Sequence, residues 1–502
     1  MTLRCRLLLF AFLLVLSVNT FAVDMGDYIS DSAAMSACEI HNEASFPYAY
    51  THPTGGLQAP LPCHNDGYST NHVGYEVRPG PWVANVNPPA YLFYTVSSCP
   101  SGQSTDFSGK CTEGGKDYGK PVCAAGNPID ITNGNKYQLE TDYRAASVFP
   151  LAVSRSYNSK TKSWRFFPEI KEVSSETNML VIRADGKELP FTNNDGEWGT
   201  DPDVVGTLTS TEDGLGNITG WSYTARDDRI ETYNSLGRIL SVTERSGLSH
   251  TYSYQTDSIT VTHSNGDTLV YQLDSEGRVS GFADPDNKSY QYSYDSEGRL
   301  ISITFPDATP SYTADNPQRF YHYEKTNYPY ALTGITDENG NRFATWGYDV
   351  HGRAISSEHA NGVGKTTLAS SIDGTTTVTN PLGKQTTYRF TTIHGVKKVT
   401  QVEGHPTTSC EGANKSYSYD ANGNVSSKTD WNGVTTTYTY DMDRNLELTR
   451  TEAAGTPQER TITTEWHADF RLPTKIIEPG KITEYTYDAQ GRQLSSRASS
   501  IQ

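Results

Sequence analysis

Apolar and polar residues alternate along much of this chain. In Tyr290-Gln-Tyr-Ser-Tyr294 the tyrosines fall at every second position, so a strand here projects all three rings from one face. Asp295 follows with a carboxylate able to accept hydrogen bonds from backbone N–H groups just ahead. Gly298 can take the positive φ that closes a short hairpin loop. Arg299-Leu-Ile-Ser-Ile-Thr304 alternates again and reads as the returning strand. Tyr-x-Tyr-Asp-x-x-Gly-Arg-Leu thus predicts one β-hairpin. Uninterrupted helical periodicity is scarce after residue 23, so the chain reads as all-β.

The unit recurs with decay. Copies are Tyr233-Asn-Ser-Leu-Gly237-Arg-Ile, Leu273-Asp-Ser-Glu-Gly277-Arg-Val, Asp349-Val-His-Gly352-Arg353, Asp420-Ala-Asn-Gly423-Asn-Val and Asp488-Ala-Gln-Gly491-Arg492, the last three each preceded by tyrosine. Tyr440-Asp-Met-Asp-Arg444-Asn-Leu carries arginine where glycine belongs. Gly277 to Gly298 is 21 residues and Gly423 to Arg444 is 21 again, which sets the period. Between copies stands a second turn, as in Asp337-Glu-Asn-Gly340 and Asp430-Trp-Asn-Gly433. Thr386-Thr-Tyr-Arg-Phe390 leads into no Tyr-Asp turn, and 306–318 and 360–380 read as insertions.

Tyr-Asp-x-x-Gly-Arg-Leu at this spacing resembles the YD repeat of bacterial RHS proteins and the teneurins. Gly126-Asn-Pro-Ile-Asp-Ile-Thr-Asn-Gly-Asn-Lys136, Glu140-Thr-Asp-Tyr143, Pro150-Leu151 and Arg155-Ser-Tyr-Asn158 resemble the segment that precedes the repeats in that family. The two matches together run from about residue 121 to 497. The resemblance implies a spiralling antiparallel β-hairpin sheet forming part of an RHS-type shell.

At the N-terminus, Arg4 and Arg6 precede the apolar run Leu7–Leu16, and Thr20-Phe-Ala22 ends in a small residue. The run falls short of the roughly 20 residues of a comfortable span and fits a secretory signal peptide over 1–22, with a retained anchoring helix as the alternative. The predicted organisation continues with a Cys/Pro/Gly-rich module (23–120), a pre-repeat β domain (121–215) and the repeats (216–502). Trp164-Arg-Phe-Phe167, Trp198 and Trp221 would supply the apolar seam of the pre-repeat domain, or an aromatic platform for glycans. The net charge of −17 argues against a nucleic-acid or anionic-membrane footprint.

Cys38, Cys63, Cys99, Cys111, Cys123 and Cys410 remain after the leader, an even set that suggests disulfides in an exported protein without choosing the pairing. Zinc is the competing reading, but there is no Cys-x-x-Cys. Gly362-Val-Gly-Lys-Thr-Thr367 lacks the first glycine of a phosphate-binding loop, where His359 stands, and Asp441-Met-Asp-Arg-Asn445 lacks the glycine of a calcium loop, where Leu446 stands. No catalytic, metal or cofactor residues are assigned. The corner residues Asp295, Gly298, Arg299, Asp349, Gly352, Arg353, Asp420, Gly423, Asp488, Gly491 and Arg492 read as structural. Arg238, Arg278, Arg299, Arg353 and Arg492 are each expected to lie across a neighbouring tyrosine ring and pair with the corner aspartate.

In toxin-delivering members of the family the shell holds a variable toxin domain, released after self-cleavage at an Asp-Pro-x-Gly motif that this sequence lacks. The resemblance therefore implies a non-enzymatic, secreted or cell-surface scaffold without its own toxin domain, belonging to a contact-dependent competition system. Its partner would be a separately encoded toxin or a downstream RHS fragment. The alternative is an adhesin module that binds surface glycans.

Overall fold

In the computed structural model the Tyr-Asp stretches are the corners of hairpins. The structure describes residues 116–502 except 174–177, 308, 310–314, 372, 405–413 and 502, together with short strands before 116. At Asp295 one carboxylate oxygen accepts from the N–H groups of Glu297 (3.0 Å) and Arg299 (2.9 Å), and the other accepts from Arg299 Nε at 2.7 Å. Gly298, at φ 75°, turns the chain, and the register slips by one residue between Ser293 and Tyr294. This is a type I turn closed by a glycine bulge. Asp274, Asp349 and Asp488 make the same bonds, and Asp420 makes them with Asn424 in the arginine's place.

The hairpins join into one 26-stranded sheet whose strands follow in sequence order from Thr207–Glu212 to Gln493–Ser500, every pair antiparallel. One rim of the sheet carries the Tyr-Asp corners. The other carries the second turns, where Asp337 and Asp430 cap backbone N–H groups in the same way. The sheet comes round on itself. Arg471 N–H, on a late corner of the first rim, donates to Asp228 Oδ2 (3.1 Å) on an early corner of the opposite rim. Nearby, Asn445 Nδ2 reaches the Pro202 carbonyl at 2.6 Å.

The pre-repeat residues form a three-stranded sheet (Tyr137–Arg144, Ala152–Asn158, Ser163–Arg165) and a four-stranded one (Glu169–Glu172, Asn178–Ile182, Glu188–Asn194, Glu197–Thr200). They fill the early part of the coil. Ile129, Val153 and Tyr157 share one core with Phe282, Tyr292, Ile303, Tyr321 and Trp346 of the repeat sheet. Ile170, Val181 and Phe191 share a second with Trp221 and Tyr233. Such burial is the main favourable term in folding. After residue 404, by contrast, Leu446 and Ile462 are the only buried hydrophobic side chains among the described residues.

The structure differs from the sequence reading at several points. The repeat sheet starts at Thr207, inside the span assigned to the pre-repeat domain, and the chain falls into two compact units, Met1–Gly114 and Gly115–Gln502. The stretch 360–380 is no insertion, for Thr366–Ser370 and Thr376–Thr379 are strands of the sheet. Arg444 does not take the glycine's conformation, because the corner is one residue longer and Asn445 carries the positive φ (50°). Thr386–Phe390 lies in a strand that turns through His394-Gly395, both at positive φ, in a two-residue hairpin loop. In the unit Met1–Gly114, Ala22–Asp24 pairs parallel with Tyr91–Phe93. Cys63–Asn65 pairs with Tyr75–Val77 and Gln103–Thr105 with Cys111–Glu113, both antiparallel. The leader over 1–21 lies outside the described residues.

Candidate functional site

Where the pre-repeat domain enters the coil, a charged side chain is forced inward. Tyr143 pairs with Val153 but Thr141 pairs with Ser154, which leaves Asp142 as the extra residue of a bulge. Asp142 is buried, and it meets the buried Arg155 of the next strand at 2.7 Å (Nε to Oδ2) and 3.1 Å (Nη2 to Oδ1). The sheet closes the cluster. Tyr292 donates its hydroxyl to Asp142 Oδ2 at 2.7 Å, and Arg155 also bonds the Tyr321 hydroxyl. The guanidinium lies 4.5 Å from the Trp164 ring centre and 4.8 Å from that of Tyr321. Burial alone would depress the Arg155 pKa, but Tyr321 and Asp142 hold it well above its ordinary value. Burial, then the Asp142 charge, pushes the Tyr292 hydroxyl far up. The cluster is a buried ion pair held between the pre-repeat strands and the repeat sheet.

Lys136 is a second buried cation. Its Nζ donates to the Asn127 carbonyl (2.8 Å), the Tyr137 carbonyl (2.6 Å) and Gln138 Oε1 (2.7 Å), and lies 4.0 Å from the Trp346 ring centre. Trp346 Nε1 donates to the same Asn127 carbonyl at 2.6 Å. Burial pushes the Lys136 pKa well below its ordinary value. Arg155 and Lys136 therefore dock the pre-repeat domain onto the sheet.

The aromatic seam is also used for packing. Phe166 meets Tyr292 edge-on at 5.2 Å, Phe167 meets Tyr271 at 4.9 Å, and Trp198 meets Trp221 at 5.0 Å. Cys123 is buried and disulfide-bonded, and the side chains of Cys38, Cys63, Cys99, Cys111 and Cys410 lie outside the described residues. Among the described residues no three His, Cys, Asp or Glu side chains are grouped to hold a metal ion. Sequence reasoning gave Asp142 and Tyr321 no role. The one local signal is the break in alternation at Glu140-Thr-Asp-Tyr143, where the bulge sits.

The corner residues stand in a row along one rim. Arg278, Arg299, Arg353 and Arg492 each pair with the aspartate four residues earlier. Arg278 also lies over Tyr294 at 4.6 Å and Arg299 over Tyr323 at 5.5 Å. Between this rim and the pre-repeat residues 162–169 opens a groove of about 770 Å³, lined by Lys162, Arg238, Tyr254, Arg278, Arg299 and other side chains.

Comparison with known proteins matches separate stretches of the pre-repeat region and of the repeat sheet. A domain of unknown function (DUF6531) matches residues 126–191, and the RHS Repeat matches 274–310 and 419–457. Over 313 residues the chain is 26% identical to Double-stranded DNA deaminase toxin A of Burkholderia cenocepacia (strain H111), which covers 59% of this chain and 18% of that protein. The crystal structure of TcdB2-TccC3-Cdc42 aligns with 13% identity and a TM-score of 0.28, over 74% of this chain and 20% of that one. A Photorhabdus luminescens Tc holotoxin pore aligns with 11% identity and a TM-score of 0.29, over 72% and 24%.

Proposed function

The chain belongs to the RHS-repeat family, and on that premise we propose that it is a non-catalytic scaffold, the wall of a container that carries a toxin polypeptide in an exported competition system. The observation that carries this reading is the unequal filling of the coil. Early hairpins share two cores with the pre-repeat domain, while after residue 404 only Leu446 and Ile462 are buried apolar side chains among the described residues, which leaves sheet surface that a cargo polypeptide would cover. A wall of this kind needs no reactive group, and its buried charges are spent on docking. Among the described residues no helix is long and apolar enough to cross a membrane.

Mixed culture tests the reading. Deleting the gene should reduce killing of a competing strain by the producing cells, and supplying it in trans should restore killing. The purified chain alone should leave double-stranded DNA unmodified. Deamination of DNA by the purified chain, or unchanged killing by the deletion strain, would overturn the scaffold role.

A further inference from the structure

Residues 146–150 join the pre-repeat strands Tyr137–Arg144 and Ala152–Asn158, and they belong to neither apolar core. Ala146, Ser147 and Val148 are exposed. The loop is held to the repeat sheet at Phe149. Its ring stacks on that of His250 at 4.1 Å with the planes 14° apart, and its carbonyl accepts from His250 Nε2 at 3.0 Å. Phe149 itself sits at φ 52°, a left-handed conformation that a bulky residue keeps only where its contacts enforce it.

The seat of this ring is a pair of imidazoles. His250 and His263 stand directly opposite each other on neighbouring strands, with ring centres 5.3 Å apart. His263 is buried, and its Nδ1 accepts from the Asn265 N–H at 2.9 Å. The neutral ring therefore carries its proton on Nε2, which is buried without a partner. A second proton would have to sit on Nδ1, expel the Asn265 N–H and leave two donors with nothing to accept them. Burial lowers the His250 pKa most, the Phe149 carbonyl acts the other way, and His263 lowers it again. Among the described residues His263 is the only titratable group that bears on His250. The Asp267 carboxylate, in the turn after His263, accepts from Asn265 Nδ2 at 2.8 Å instead.

We propose that Phe149 and the two histidines form an acid-released strap, closed near neutrality and opened when the imidazoles gain protons. Two imidazolium rings at this distance repel each other. A histidine whose folded pKa lies below its unfolded value contributes stability that is fully present above about pH 6.5 and is lost as pH falls through the folded value. The loss falls on the strap, because residues 146–150 can leave the sheet while both cores stay closed. Acid thus frees the hairpin end of the pre-repeat domain without melting the wall.

Hydrogen exchange of the full chain at about pH 7 and about pH 5, each rate corrected for the intrinsic pH dependence of amide exchange, tests this. Peptides covering 145–151 should lose about tenfold in protection at the lower pH, a linkage of ordinary size between coupled equilibria. Peptides around Phe282 and Ile303 should not change. The double variant His250→Gln with His263→Gln should make the loop indifferent to pH, and Phe149→Ala should leave it open at both values. His322→Gln, five strands further along the sheet, should respond to acid as the unaltered chain does. Equal loop protection at the two pH values, a pH response that survives the double variant, or loosening that spreads to the core would each overturn the proposal.

Discussion

The Tyr294 hydroxyl donates to the Val279 carbonyl at 2.8 Å, and so ties one hairpin to the bulge that closes the hairpin before it. The bulge matters because it turns a carbonyl away from the ladder and leaves it needing a donor. The same bond recurs from Tyr254 to Ile239 (2.8 Å), Tyr323 to Leu300 (3.0 Å), Tyr440 to Val425 (3.0 Å) and Tyr487 to Pro473 (2.8 Å). Trp466, lacking a Tyr-Asp sequence, substitutes its indole N–H, which reaches the Glu447 carbonyl at 2.8 Å. The period of the repeat is therefore the reach of one tyrosine to the preceding corner. Tyr294→Phe should cost about 1 kcal/mol in chemical denaturation. Tyr290→Phe, whose hydroxyl makes no hydrogen bond among the described residues, should cost less than half of that.

Two corner glycines should respond differently to alanine. Gly298 sits at φ 75° with the end of the flexible Arg278 side chain 3.2 Å from where a Cβ would stand. Strain alone applies there, so Gly298→Ala should cost about 1 kcal/mol and Gly298→Val more. At Gly237 a Cβ would meet the Ile170 carbonyl, whose own N–H donates to the Gly237 oxygen at 3.0 Å. Gly237→Ala should be the worse of the pair in thermal denaturation, because the pre-repeat strand must move.

Removing half of the buried pair should hurt more than removing a bond to it. Asp142→Ala strands the Arg155 charge in the core and should cost roughly 3–5 kcal/mol. Tyr292→Phe removes one hydrogen bond to Asp142 and should cost about 1–2 kcal/mol. The double variant Asp142→Ala with Arg155→Met should recover part of the loss, measurable as non-additivity in denaturant melts.

Acid should loosen the corners. Burial tends to raise the carboxyl pKa of Asp274, Asp295 and Asp349, but hydrogen bonds from the corner arginine and backbone outweigh it and hold each below the usual carboxylate range. The Arg492 N–H leads in holding Asp488 down. A folded-state pKa below the unfolded value means stability that is fully present above about pH 4 and is lost as pH falls through the folded values. Thermal midpoints should stay level from about pH 7 to about pH 5 and drop below about pH 4. Asp295→Asn, which keeps the cap but not the charge, should show a smaller acid drop.

The meeting of the two rims can be opened selectively. Asp228→Ala removes the acceptor of Arg471 N–H at 3.1 Å and the 3.8 Å ion pair with Arg245. Hydrogen exchange should quicken in residues 446–500 while the core around Phe282 and Tyr292 keeps its protection. Uniform quickening throughout would show that the two rims do not act as a separate contact.

Much of this was written in the alternation and the corners. Tyr292 faces the core while its neighbours Gln291 and Ser293 face outward, as the period of two requires. What alternation hides is anything that breaks it. Asp142 enters the core through a bulge, which shifts a side chain between faces without altering composition. The His394-Gly395 loop escaped because its strands lack the aspartate that marks the other corners. The groove was equally invisible, since Lys162 and Arg238, far apart in the chain, come to line it together only in space.

The resting of Arg471 on Asp228 constrains how such a chain can change length. Because strands follow strictly in order, deleting or duplicating one hairpin between these residues would shift every later corner sideways by one place and set it against the wrong partner below. Loops can lengthen freely at any rim, but whole hairpins can be gained or lost only beyond the last corner that already has a seat. Growth of the coil is therefore confined to its trailing end, like courses of brick laid on a finished row.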